Sequence, residues 1–155
     1  PVPGFRAWID DAARKRGDQL LTADEGRAVT TTAERTGKAD VALNSLLADP
    51  AWADDPSLVD VLRSVLMRLC ARYLIEEKGP TGRAIDPVAH FHLSNGARLE
   101  RLNWLADRSH KGLENSAGIM VNYVYDRSAV EENHEAYVAD GRVATSSSVR
   151  TLAKG

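Results

Sequence analysis

The sequence predicts a mixed fold, α+β or α/β, with a helical first half and a mixed second half. Three observations predict it. Helix-capping signatures precede runs with helical apolar spacing. Asn95–Gly96 separates two apolar runs in the way of a β-hairpin. A loop with Ser, Lys and Gly then leads towards a further periodic segment.

The elements follow in order. Pro1-Val2-Pro3-Gly4-Phe5 reads as extended chain, and Phe5 to Arg16 as a helix stopped by Gly17. Thr22-Ala23-Asp24-Glu25 is a capping box for a second helix reaching Thr36–Gly37. A third covers Lys38 to Ala48 and ends at Asp49–Pro50. Ser57-Leu58-Val59-Asp60 opens the fourth, whose apolar positions are Leu58, Val61, Leu62, Val65, Leu66, Leu69, Tyr73 and Leu74. Gly79 and Pro80 end it, and Arg63, Arg68 and Arg72 form a solvated or ion-paired flank.

Asp86–Pro87 then signals a strand over Val88 to Ser94. A two-residue turn at Asn95–Gly96 joins it to a second strand, Ala97 to Trp104. Leu105 to Gly112 is a polar loop. Leu113 to Tyr125 fits helix or strand, and its position after that loop favours helix. Ser128-Ala129-Val130-Glu131 opens a helix that Gly141 stops, and Ser146 to Ala153 is a short final helix.

Composition narrows the function classes. The chain has 155 residues, 43% hydrophobic and 27% charged, as in ordinary globular proteins. A net charge of −2 does not suggest a nucleic-acid surface. One cysteine, Cys70, excludes an internal disulfide and a cysteine-rich zinc site. No apolar run approaches the length of a membrane span, and no signal peptide is visible. The reading is therefore no membrane, no nucleic acid, and a cytoplasmic location.

In the expected hairpin, one face carries His90, His92, Ser94, Ala97, Leu99, Arg101 and Asn103. Ala89, Phe91, Leu93, Arg98, Glu100, Leu102 and Trp104 lie on the other. So polar a face is either a solvated edge or the wall of a cleft. In a cleft, His92 would act as acid or base and Arg101 as an anion partner. His90 and His92 lack a third ligand on that face, so no metal is expected. Ser109, Lys111, Gly112 and Ser116 lie where a loop meets a helix N-terminus, an arrangement that attracts anions and also occurs in ordinary exposed loops.

The run Asp86-Pro87-Val88-Ala89-His90-Phe91-His92-Leu93-Ser94-Asn95-Gly96-Ala97 carries a more specific signal. It continues through Arg101-Leu102-Asn103-Trp104-Leu105-Ala106-Asp107, with Ser109, Gly112, Ser116, Gly118 and Met120, to Asn122-Tyr123 and Tyr125. These residues resemble the C-terminal part of malonyl-CoA decarboxylase. Pro1-Val2-Pro3-Gly4-Phe5 and Leu66-Met67-Arg68-Leu69-Cys70-Ala71 are similar to the same family.

The resemblance implies a fold like the GCN5-type N-acetyltransferases. In that fold a strand, a phosphate loop and a helix bind coenzyme A. It implies the C-terminal part of one catalytic domain, with a helical region at 1–80 and a coenzyme A-binding region at 81–155. The remaining sheet strands would precede Pro1. It implies decarboxylation of malonyl-CoA to acetyl-CoA by a serine–histidine pair. The histidine is His92, and the serine directly precedes Pro1. Arg101, Asn103, Asn122, Tyr123 and Tyr125 become candidates for substrate or supporting contacts. Ser109, Lys111, Gly112 and Ser116 become candidates for the coenzyme phosphates. No separate cofactor is implied, because coenzyme A is part of the substrate. The partners implied are malonyl-CoA and acetyl-CoA, the N-terminal part of the same protein, and further copies in a homo-oligomer. The segment alone is expected to be inactive. An acyl-CoA-dependent transferase of the same fold, or a non-catalytic helical interaction module, are the alternatives.

Overall fold

The computed structural model describes residues 1–155, the side chain of Asp18 excepted. Helix α1 (Phe5–Arg16) ends at Gly17, whose φ of +53° stops it. Helix α2 (Ala23–Arg35) starts with the expected capping box: Glu25 N–H donates to the Thr22 hydroxyl at 3.1 Å, and Thr22 N–H to the Glu25 carboxylate at 2.9 Å. Helix α3 is shorter than expected, Leu43–Ala48. A 3₁₀ turn, Pro50–Asp54, leads into α4 (Pro56–Ile75). Asp55, not Ser57, caps α4, accepting from Ser57 and Leu58 N–H, with Pro56 in the first turn.

The second half differs from the expectation in three places. Residues Val88 to Ser94 form a helix, α5 (Pro87–Ser94), not a strand. Asp86 caps it, and Pro87 needs no hydrogen-bond partner at the first helical position. Asn95–Gly96 is the helix stop and not a hairpin turn. Ala97 N–H reaches the His92 carbonyl and Gly96 N–H the Leu93 carbonyl, both at 3.1 Å. This Schellman pattern needs a positive φ, and Gly96 has +87°. A side chain there would also collide with the Val130 carbonyl.

Next come β1 (Arg98–Asn103), α6 (His110–Ser116) and β2 (Met120–Val124). The segment expected as one helix from Leu113 to Tyr125 therefore splits into a helix and a strand. Ala117 and Gly118 break it, with φ of +50° and +76°. β1 and β2 pair antiparallel, Leu99 opposite Tyr123 and Arg101 opposite Asn122, with a bulge between. The bulge overturns the strict alternation expected for β1. Leu99 and Leu102 both point into the core, at 0% and 4% exposure. On its other edge β1 meets the 144–146 segment: Leu99 N–H donates to Ala144 and Ser146 N–H to Leu99, both at 2.8 Å. Helix α7 (Val130–Asp140) stops at Gly141 as expected. Ser128 does not cap it, because its N–H and hydroxyl both turn back to Asp126. Helix α8 (Ser147–Lys154) is capped by Ser146.

One hydrophobic core joins both halves. α4 is its axis: Leu58, Leu62, Leu66, Cys70 and Leu74 are each fully buried. It packs against both α2 and α8. Arg72 pairs with Glu76 at the surface, and Arg63 is exposed. Arg68 departs from that flank and is buried. Its Nε and Nη2 grip the Glu25 carboxylate, both at 2.7 Å, and Nη2 also donates to the Leu20 carbonyl at 3.0 Å. Two parallel charge-assisted bonds compensate the buried guanidinium.

Removing one partner leaves a buried charge unpaired. Glu25→Ala is expected to cost about 3 kcal/mol in urea unfolding. Asp24→Ala, which loses only a surface pair with Arg27, is expected to stay within about 0.5 kcal/mol of the parent. Equal losses would refute the assignment.

Candidate functional site

Helix α5 positions the histidines. Residues two apart on a helix are turned by about 200°, so His90 and His92 point apart instead of sharing a face. His90 Nδ1 lies 2.7 Å from the Tyr137 hydroxyl, which also accepts the Ala84 N–H at 3.0 Å. His92 turns the other way, to the end of β2. Its Nδ1 is 2.7 Å from the Tyr125 hydroxyl. Its ring stacks on Tyr123, with centroids 4.2 Å apart and planes at 21°. Phe91 meets it edge-on at 5.1 Å and is itself exposed.

This surrounding is half-buried and largely apolar. Burial holds the His92 pKa below the ordinary histidine value. The ring is therefore neutral near pH 7. Burial pushes the Tyr123 hydroxyl well above the usual phenol range, and that hydroxyl has no hydrogen-bond partner among the described residues.

Asp86 ties this region to the start of the chain. Its carboxylate is 1% exposed. One oxygen accepts the Ala89 N–H at 3.0 Å, capping α5; the other accepts the Gly4 N–H at 3.2 Å. Burial raises its pKa against the opposing pull of these N–H groups. Gly4 passes so close to the Tyr73 hydroxyl that a side chain would overlap it. Val2 N–H donates to the Ser116 hydroxyl at 3.0 Å. Pro1 to Phe5 is thus pinned beside the helix that carries His92.

The structure brings together His92, Tyr123 and Tyr125. Arg101, Asn103 and Asn122 lie on the opposite face of the small sheet. There the Asn103 side-chain amide donates to the Asn122 oxygen and, at 3.4 Å, to the Met120 carbonyl, while Arg101 is exposed. Ser109 caps α6, accepting the Gly112 N–H at 3.0 Å. Lys111 is exposed. Gly112 packs directly on the Asp107 carboxylate, where any side chain would collide. Ser116 is buried, its hydroxyl serving Val2.

One contributor, Asp86, escaped the sequence reading although it carried a signal: Asp followed by Pro is also the opening of a capped helix.

Among the described residues no helix is long and apolar enough to cross a membrane. The family described as the malonyl-CoA decarboxylase C-terminal domain matches residues 1–155. The mitochondrial malonyl-CoA decarboxylase of Rattus norvegicus is 39% identical over 98% of this chain and 31% of its own length. The mitochondrial enzyme of Anser anser anser is 38% identical over 96% of this chain and 30% of its own. The crystal structure of malonyl-CoA decarboxylase from Rhodopseudomonas palustris superposes with a TM-score of 0.80 at 42% identity, over 98% of this chain and 31% of that one. That from Agrobacterium vitis gives 0.80 at 41%, over 99% and 34%. The chain therefore spans about a third of the length of these relatives. A match over every residue, with these identities, shows that the chain belongs to the malonyl-CoA decarboxylase family.

Proposed function

We propose that this chain is the part of a malonyl-CoA decarboxylase that supplies the proton-handling histidine. The observation that carries the reading is the placement of His92: stacked on Tyr123, bonded to Tyr125, and kept neutral by burial.

Decarboxylating a malonyl thioester breaks the bond to the carboxylate and leaves an enolate. The thioester carbonyl itself accepts the electron pair. The protein must stabilise the enolate oxygen and deliver one proton to carbon. A Tyr125 hydroxyl that donates to Nδ1 sets the tautomer with the proton on Nε2. Nε2–H then faces the substrate as a neutral donor. As that proton moves to carbon, Nδ1 takes the tyrosine proton, and solvent restores the hydroxyl of the half-exposed Tyr125. The carbanion is a far stronger base than a phenolate, so the transfer runs downhill.

The partner serine of the pair is proposed directly before Pro1. Supporting it, the bonds from Gly4 to Asp86 and from Val2 to Ser116 hold the first residues against α5. For the coenzyme phosphates we retain the α6 approach, with Lys111 as the accessible cation beside Ser109 and Gly112. The Asp107 carboxylate would have to be screened by it. Ser116 is assigned to holding Val2 instead. Arg101, Asn103 and Asn122 are proposed to face the rest of the polypeptide. We also propose that β1 and β2 end a larger sheet of the GCN5 type. Among the described residues β2 has one strand neighbour, and a two-stranded sheet is marginal alone.

In the complete protein, His92→Ala is expected to lower kcat for malonyl-CoA by about 10²- to 10⁴-fold with an unchanged circular dichroism spectrum. Near-parental turnover would sink the assignment. Tyr125→Phe should lower kcat by a smaller factor and leave KM nearly unchanged.

The pH dependence has a defined sign. A His92 pKa lowered on folding means that the unfolded chain binds the proton more readily. Stability from this group is present above about pH 6.5 and falls as the pH drops below it. Carbon-detected imidazole titration should place the His92 midpoint below about 6.5. A midpoint above that value would contradict the environment described.

A further inference from the structure

A second site lies away from His92, between the start of β1, the start of α7 and the segment that leads into α8. There Arg98, Arg142 and Arg150 border an open cleft of about 490 Å³, together with Ala129, Asn133 and Thr145. The volume falls in the range of small-molecule sites. Arg98 comes from β1, and Arg142 and Arg150 flank the short segment that leads into α8. Bringing like charges together is unfavourable unless something of opposite charge compensates them.

The acidic side chains in reach do not compensate all three. Arg98 is held by Glu100 at 2.7 Å, and it adds a minor part to the lowering of the Asp126 pKa that the Ser128 hydrogen bonds chiefly cause. Arg142 and Arg150 form no ion pair among the described residues. Among the described residues no carboxylate side chain borders the cleft.

The floor of the cleft is rigid. Gly141 turns the chain at φ +68°, packed against the Gly82 carbonyl so closely that only glycine fits. The following residues are hydrogen-bonded to Leu99 of β1 on both sides of the pair. Arg150 Nη2 donates to the Thr145 carbonyl at 2.7 Å, which fixes its guanidinium over that floor. Asn133 is fixed by its bond to the Gly96 carbonyl at 3.2 Å.

We propose that this cleft binds a small polyanion of the diphosphate class, with Arg142 and Arg150 as its principal contacts. Arginine suits the task, since its planar donors match phosphate oxygens in pairs. Arg98, already neutralised by Glu100, borders the site and adds little charge to it.

The test uses the complete protein and inorganic pyrophosphate, with ADP as a second probe, in titration calorimetry. Arg142→Gln and Arg150→Gln should each weaken pyrophosphate binding about tenfold or more. The double variant should abolish it. Decarboxylation of malonyl-CoA without added pyrophosphate should keep its kcat and KM in both variants. Three results would overturn the proposal. One is no pyrophosphate or ADP binding at millimolar concentration. Another is binding that the double variant leaves intact. The third is a raised KM for malonyl-CoA in the variants, which would make the cleft part of the substrate's own path. The first two leave the role of His92 untouched.

Discussion

A single buried carboxylate holds the candidate site together. Asp86 receives one N–H from the first turn of α5 and one from Gly4, far away in sequence. It therefore fixes two things at once: where the His92 helix begins, and where the start of the chain lies against it. Burying an acid is costly, and its raised pKa reflects that cost. Two N–H donors and the positive end of α5 offset it. Replacing the group by an apolar one would remove the bond that joins the two segments, leaving the start of the chain held by Val2 on Ser116 and by the packing of Phe5.

Behind this contact stands α4, buried along most of its length. Tyr73 on α4 touches Phe5, Trp8 and Gly4, so the axis of the core reaches the same corner that Asp86 organises. At its other flank Arg68 is satisfied by α2. The helical half thus contributes position, not chemistry, to the site.

How much of this was legible depended on whether a local pattern had one meaning. α1, α2 and α8 were readable, because caps and stops agreed with periodicity. α5 was not. Eight residues are too few for spacing to separate helix from strand. Asp-Pro opens either element, and Asn-Gly closes a helix as readily as it turns a hairpin. The split of Leu113–Tyr125 turned on a left-handed alanine, which no propensity flags. For the site, resemblance singled out His92, Tyr123 and Tyr125 as separate residues. Their convergence follows from the pairing of β1 with β2 and the packing of α5 against it, which are long-range facts. Arg101 was misjudged as a neighbour of His92 because the expected hairpin assigned them one face.

The bulge in β1 has a consequence for how this strand can vary. Without one residue there, Leu99 and Leu102 would sit two apart and still share a face by simple alternation. The extra residue is dispensable for the core. What it supplies is an outward-turned carbonyl at Glu100, which the Ser146 hydroxyl takes at 2.7 Å. That bond seats the cap of α8 on the sheet. A homologue one residue shorter at this point would keep both faces of its strand and lose one of the bonds that seat its last helix, the two to Leu99 remaining. Length variation here would thus register first as loosening of the C-terminus, with the sheet itself undisturbed.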